Sequence, residues 1–321
     1  MAKGKKRKSL KHKFYRAPPG AVPRFAPGEL LVEFITDQEY YLWRNRGKEY
    51  QGYHYLSYFE LEAQRASRQS DLLDALRASR GTTVDLTGWG RALAYQYSDA
   101  PLSCLGSLKW VGGRFNYGND IDRDRFAPFP ALYIAEDFET GLREMQGLTS
   151  ADSRSGLTPA ELSLCGKSSF TWAAVTGSIA NVFDLTSASN LDRFTSVIAG
   201  FKFSTAVRAA ERAMESTPKK ILATSAELLD SFMSEAWRQD PVLWGTPANP
   251  QLFGHLASQA GFEGILYLSI RTGKRNLAIF PREFKNSTST VSVIGAPASA
   301  VCCELSAKTY GELEQPLSAN L

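Results

Sequence analysis

Between Val111 and Met145 the sequence reads VGGRFNYGNDIDRDRFAPFPALYIAEDFETGLREM, and this stretch demands three kinds of backbone in succession. Two adjacent glycines, Gly112 and Gly113, call for a tight turn or a close backbone approach, and Arg114 follows them directly. Ala131 to Ala135 is a short apolar run with Tyr133 at its centre, which reads as a strand. Asp137 then suits a helix cap, and Phe138, Leu142 and Met145 recur at i, i+4 and i+7 as the expected apolar stripe. At about 100° per residue Glu144 falls about 120° from Phe138, on the margin of that stripe, where a carboxylate can face a cleft while its helix stays anchored. A chain that must place a turn, a strand and a helix side by side cannot be all-α or all-β. Short strands and helices elsewhere mix without regular βαβ alternation, which predicts an α+β domain over residues 86–285.

The flanking segments read differently. Residues 1–29 combine eight basic side chains within the first sixteen positions with Pro18, Pro19, Pro23 and Pro27, and carry too little apolar content to bury a core. The net charge of +4 therefore averages a basic tail with a body of about −4. Residues 30–85 predict a small helical region. One helix is opened by the Thr36/Glu39 capping box and ended near Gly47; a tyrosine-dense segment follows; a second helix spans 57–80 with Gly81 as its stop. Thr83 to Tyr97 predicts a strand or strand pair containing Arg91. Residues 147–170 read as a Ser/Gly/Thr-rich loop, 173–185 as a strand in two pieces, and helical patterns recur near 190–200, 204–216 and 225–237. Asn249 as N-cap, Pro250 in the first turn and Gly261 as terminator define a helix whose expected buried face is Leu252, Phe253, Leu256 and Ala260. His255 falls opposite that face and is expected at the surface. Strands at 264–270 and 276–280 follow, with Ser269 at the end of the first. Residues 286–321 are rich in Ser, Thr and Ala and are expected to lie outside the core.

The totals exclude several classes. No apolar run approaches the roughly 18 residues that span a bilayer. The basic N-terminus lacks a following apolar segment of the secretory kind, so a cytoplasmic protein is expected. Four cysteines (Cys104, Cys165, Cys302, Cys303) and three histidines (His12, His54, His255) spell out no metal-ligand set, and no metal is expected. The P-loop, the G-x-G-x-x-G fingerprint and the G-x-S-x-G elbow are all absent, and so few histidines leave a Ser-His-Asp triad hard to assemble. Any catalysis must run on arginine, tyrosine, glutamate and serine. Taken singly, each of these residues has a bland reading. A helix-margin glutamate is usually solvated, a turn arginine usually pairs at the surface, and a strand-end serine needs no function.

Their combination and order carry more. WGRALAYQYSDAPLSCLG (Trp89 to Gly106), GGRFN (Gly112 to Asn116), PALYIAEDFETGLREM, VFDLT (Val182 to Thr186) and GFEGILYLSIRTGKRNLAIF (Gly261 to Phe280) resemble, in sequence order, the segments of the RES domain family. The family is named for an arginine, a glutamate and a serine, which match Arg114, Glu144 and Ser269; Tyr133 matches the tyrosine of its P-x-x-Y motif. This chain departs from the pattern in Phe115, where tryptophan or tyrosine is usual, and in Gly141, where alanine is common. It also has a longer loop from Tyr117 to Phe126, and LSIR where the family has LPSAR.

The resemblance implies an ADP-ribosyltransferase-like split β-sheet around an NAD cleft, and a toxin that consumes NAD by cleaving its nicotinamide–ribose bond. It implies Arg114, Tyr133, Glu144 and Ser269 as catalytic residues, with Arg91, Gly113, Arg114, Phe115, Tyr133 and Arg271 around the bound NAD. It further implies a helix-turn-helix (Xre-type) antitoxin as partner. Water, phosphate or a protein side chain as acceptor would give hydrolysis, phosphorolysis or ADP-ribosyl transfer, and the sequence does not choose. A non-enzymatic alternative is a polyanion-binding protein that uses residues 1–29 beside a disused core.

Overall fold

The computed structural model describes residues 37–109, 112–146, 169–214, 218–238 and 244–315, with side chains of the first helix from Asn45 on, Arg46 excepted. The basic tail, the Thr36 cap and most of the 147–170 loop lie outside these residues. The chain packs as two units, one formed by residues 1–67 and 200–221, the other by residues 68–199 and 222–321.

In the first unit, helix α1 (Asp37–Ser67) runs unbroken through Gly47, where a stop was expected. A Cβ at Gly47 or Gly52 would meet nothing within 4 Å, so neither glycine marks a close approach. Each costs only about 1 kcal/mol of helix propensity, which a long packed helix tolerates. Polar bonds to its partner segment hold it: Glu60 accepts from the Ser204 hydroxyl at 2.6 Å, and Gln64 donates to the Lys202 carbonyl at 2.7 Å. Tyr53, within the tyrosine-dense segment, is 4% exposed and belongs to this packing rather than to a binding surface.

The second unit is α+β, as expected. Its elements in order are α2 (Gln69–Arg77), β1 (Thr82–Asp85), β2 (Gly90–Ala94), α3 (Leu105–Lys109), β3 (Leu132–Ala135), α4 (Phe138–Gln146), β4 (Phe170–Asp184) and α5 (Asp192–Ile198). After α6 (Thr205–Met214), which belongs to the first unit, come α7 (Ser225–Met233), α8 (Asn249–Gln259), β5 (Gly264–Leu268), β6 (Arg275–Ile279), β7 (Thr290–Val293) and β8 (Glu304–Leu305). All the strands form one sheet in the order β2-β3-β6-β5-β4-β7-β8, with β1 also on β4. Because β2 pairs with both β3 and β4, the path through β3, β6, β5 and β4 closes on itself.

One long strand serves several parts of this sheet. Along β4, residues 170–174 pair with β2, 175–178 with β7, and 182–184 run parallel to β5. Gly177 lies within the run paired with β7, and its φ of 127 and its approach to the Thr290 carbonyl leave no room for a Cβ. What read as two strand pieces is therefore one strand with a glycine joint.

Leu86, Leu102, Leu132, Val175, Ile179, Val182, Leu277 and Ile279 are almost wholly buried at the centre of this sheet. Val291, Leu305 and Leu313 join them at 0% exposure, so the stretch after Asn286 contributes core and sheet rather than a loose tail. Each such side chain stabilises the fold by about 1.5–3 kcal/mol. A second, aromatic cluster ties the helices together: Phe253 of α8 meets Phe232 of α7 at 4.8 Å, Phe183 of β4 at 5.3 Å and Phe194 of α5 at 5.3 Å.

Helix α8 starts one residue early, with Ala248 as N-cap, because the Gln251 side chain turns back to accept the Ala248 N–H at 2.9 Å. His255 is half-buried between Tyr117 (5.5 Å) and Phe129 (5.2 Å) rather than at the surface. Among the described residues no helix is long and apolar enough to cross a membrane.

Candidate active site

The site is built outward from the glycine turn. Gly112 and Gly113 are glycines for packing reasons: a Cβ on the first would lie 2.5 Å from the Asn116 carbonyl oxygen, and on the second 2.5 Å from the Tyr133 ring. Several polar groups of the turn are held by side chains. Gly113 N–H donates to Asn116 Oδ1 at 2.9 Å, and Gly112 N–H donates to Asp120 Oδ1 at 3.0 Å. Gln251 Nε2 donates to the carbonyls of Gly113 (3.2 Å) and Asn116 (3.0 Å). Helix α8 reaches this close because position 254 is glycine; a Cβ there would lie 2.0 Å from the Phe115 carbonyl oxygen.

Tyr133 belongs to this scaffold. Its hydroxyl donates to Asn116 Oδ1 at 2.9 Å and accepts the Phe115 N–H at 2.9 Å. Burial raises its ionisation well above the ordinary phenol value, against the opposing pull of Arg114, so it remains a protonated donor. The tyrosine expected to meet substrate thus has its hydroxyl engaged in shaping the turn that presents Arg114. Phe115 is 0% exposed and packs edge-on against Tyr267 at 5.0 Å, so it supports the site from beneath.

Glu144 projects from α4 toward the end of β5. Its Oε1 accepts from Ser269 Oγ at 2.5 Å and from Asn276 Nδ2 at 3.3 Å. Ser269 Oγ in turn accepts the Arg271 and Thr272 N–H groups at 3.0 and 3.3 Å, which directs its one proton onto the glutamate. Glu144 Oε2 takes no hydrogen bond among the described residues, and no cation pairs with the carboxylate there.

Helix α4 is capped by Asp137, which accepts the Thr140 N–H at 2.8 Å. Its buried side is Thr140 and Leu142; Phe138 (40% exposed) and Met145 (41%) are not the buried stripe the spacing suggested. Gly141 is explained by Trp172, whose ring would come within 2.7 Å of a Cβ.

Two arginines stand beside this carboxylate, each held by the segment Ser234–Arg238 that follows α7. Arg114 Nη1 donates to the carbonyls of Phe232 and, at 3.2 Å, Ser234, with its guanidinium 5.3 Å from the centre of the Trp237 ring. Burial disfavours the charged guanidinium, and nearby Tyr267, Glu144 and Tyr133 counter that effect. Arg271 Nη1 donates to Glu235 Oε1 at 2.8 Å. Arg238 closes the arrangement through a 2.7 Å ion pair with Asp120, on the lengthened Tyr117–Phe126 loop. That loop, the chain's main departure from the family pattern, therefore anchors the covering segment.

Arg91 is not brought into this network. Ala92 faces α4, so the alternation of β2 turns Arg91 to the opposite side of the strand. There Arg91 Nη1 donates to the carbonyls of Pro101 (2.8 Å) and Ser103 (2.9 Å), and Cys104 is the group that most favours its charge. It thereby fastens the 101–103 loop rather than joining the residues around Glu144.

Asn116, Asp120, Tyr267, Gln251 and Asn276 were not singled out from sequence. Asn116, inside GGRFN, and Tyr267 and Asn276, inside GFEGILYLSIRTGKRNLAIF, lay in segments that carried a visible signal. Among the described residues no group of three or more His, Cys, Asp or Glu is placed to hold a metal ion. The two best-formed concavities lie elsewhere, one of about 530 Å³ lined by Arg208 and Lys219, the other of about 210 Å³ by Arg80 and Arg193.

The sequence model of the RES domain matches residues 89–295, which include all the site residues named above. No curated protein matches the chain. Among solved structures, the crystal structure of the M. tuberculosis MbcT-MbcA toxin-antitoxin complex is similar at 14% identity and a TM-score of 0.42, covering 76% of this chain and 97% of that one.

Proposed function

The chain belongs to the RES domain family, and from that premise we propose that it consumes NAD by breaking the bond between nicotinamide and ribose, as the toxin of a toxin–antitoxin pair. The observation that carries this reading is the state of Glu144. One carboxylate oxygen is fixed by Ser269 and Asn276; the other is uncommitted, with no ion pair among the described residues and with Arg114 in electrostatic range.

Such a carboxylate suits a reaction that develops positive charge. As the C1′–N bond breaks, its electron pair leaves with the nicotinamide nitrogen and the ribose acquires oxocarbenium character. A fixed, unneutralised carboxylate stabilises that charge more than it stabilises the ground state, which is what lowers a barrier. Ser269 and Asn276 hold the carboxylate in place before substrate arrives. Arg114 and Arg271 supply planar, multiply donating cations suited to the pyrophosphate, once Glu235 and the carbonyls of 232 and 234 are displaced. The acceptor oxygen then bonds to C1′. With water the co-product is ADP-ribose, and with inorganic phosphate it is the 1-phosphorylated ADP-ribose. The partner this reading calls for is an antitoxin, of the helix-turn-helix kind by family resemblance.

The test is purified full-length protein incubated with NAD, with and without phosphate, and the products resolved by chromatography. Free nicotinamide is the expected result, and its phosphate dependence identifies the acceptor. Intact NAD in both arms, from folded protein, overturns the reading.

A further inference from the structure

Two tyrosines stand on one face of the sheet. Tyr133 is directly opposite Ala278, Ala135 opposite Asn276, and Asn276 opposite Tyr267. Opposed residues of antiparallel strands share a face, and so do residues two apart along a strand. Tyr133, Asn276 and Tyr267 therefore project to the same side, where Asn276 already meets Glu144.

Their hydroxyls are in opposite states. That of Tyr133 both donates and accepts within the glycine turn. The Tyr267 ring is held edge-on by Phe115, and the residue is 5% exposed, yet its hydroxyl forms no hydrogen bond among the described residues. Burial, then the proximity of Glu144 and Tyr133, keep the phenol protonated far above its ordinary range. It is a donor with nothing yet to donate to, in a place where an unmet hydroxyl costs stability.

The two uncommitted groups of the site are thus Glu144 Oε2, which can only accept, and Tyr267 OH, which is available to donate. A phosphate oxygen satisfies only the second, and an amide N–H only the first. An alcohol satisfies both at one atom, because a hydroxyl donates one proton and still accepts. We propose that Tyr267 binds substrate directly, its hydroxyl donating to a hydroxyl oxygen of the nicotinamide ribose while that ribose hydroxyl donates its own proton to Glu144 Oε2. This rests on the NAD reading above and adds to it a substrate contact and a division of labour: Tyr133 shapes the turn, and Tyr267 reads the sugar.

The experiment compares wild type, Tyr267→Phe and Tyr133→Phe on NAD and on the two NAD analogues that lack one or the other hydroxyl of the nicotinamide ribose. Tyr267→Phe keeps the ring against Phe115, so its melting temperature is expected to match wild type while kcat/KM for NAD falls about tenfold. On one of the two deoxy analogues, wild type and Tyr267→Phe should turn over equally, because the hydroxyl that distinguishes them is gone. Tyr133→Phe should instead lower the melting temperature and lose activity alike on all three substrates. Equal NAD turnover by wild type and Tyr267→Phe overturns the assignment and leaves the NAD reading standing. A Tyr267→Phe loss that is the same on all three substrates also overturns it, in favour of a structural role. If Tyr267→Phe folds poorly, wild type decides alone: equal kcat/KM for NAD and both analogues overturns the contact, and a loss on one of them supports it. Wild type that leaves NAD intact ends both readings together.

Discussion

Two glutamates on two helices, one in each unit, are held in contrasting ways. Glu211 of α6 is 3% exposed and fully neutralised by its own protein: it accepts from Arg208 at 2.7 Å, from the Lys219 N–H at 2.8 Å and from the Tyr53 hydroxyl at 3.0 Å. Burial alone would raise its pKa, but the bonds from Arg208, Lys219 and Tyr53 outweigh burial and hold it below the usual carboxylate range. Glu144 of α4 is fixed by two neutral donors on one oxygen only, with no ion pair among the described residues. Both are immobilised. Only Glu144 keeps a carboxylate oxygen that takes no hydrogen bond and no ion pair among the described residues, and on the reading proposed above that oxygen faces the developing cation.

The widest separation between the two should come from Glu144→Gln. It keeps an acceptor for Ser269 but deletes the charge, and NAD turnover should fall by about 10²–10³ with the melting temperature unchanged. Retained turnover would dissolve the contrast. Glu211→Gln should do the reverse, destabilising the first unit by about 1–2 kcal/mol as the bond from Arg208 loses its charge, while NAD turnover per folded molecule is preserved.

A smaller effect follows from acid. Burial, then Lys219, lower His54 to about 4, against 6.5 in the unfolded chain. A depressed pKa of this kind gives stability that is complete above pH 6.5 and declines as pH falls toward about 4. Glu211, also depressed, adds its own decline below its ordinary value of 4.5. Protection factors along α1, corrected for the slower intrinsic exchange in acid, should therefore fall about fivefold between pH 6.5 and 5.5, equivalent to ~1 kcal/mol, and constant protection factors would show that His54 is not held neutral.

Much of the site was legible because its pieces are local or carry family motifs. The glycine turn, the strand with Tyr133, the Asp137 cap and the helix with Glu144 follow one another directly, and Ser269 ends a strand whose apolar run is plain. What the residues then do to each other was not legible. Tyr133 became scaffold because Asn116, seventeen residues earlier, turned its side chain inward to meet it. Arg91 was lost to the site by parity: one residue either way along β2 would have faced α4. The buried side of α4 was misjudged because Phe138 packs edge-on against Trp172 at 5.8 Å instead of entering the core. Gly47 looked like a helix stop because glycine often ends a helix, but α1 runs through it, and a glycine inside a long helix costs only about 1 kcal/mol. The covering segment had no signal at all, since Glu235 and Arg238 meet partners 36 and 118 residues away.

On the NAD reading proposed above, in which Arg114 and Arg271 take the pyrophosphate, that segment would make the protein its own competitor. The carbonyls of Phe232 and Ser234 and the carboxylate of Glu235 present oxygen to Arg114 and Arg271, much as a pyrophosphate would. A ligand needing those arginines binds only the fraction of molecules in which the segment is away, and its apparent dissociation constant rises in inverse proportion to that fraction. Because the competitor is tethered, its local concentration does not fall when the protein is diluted or scarce. The concentration at which such a ligand begins to occupy the site would then depend on the Asp120–Arg238 ion pair as well as on the arginines themselves.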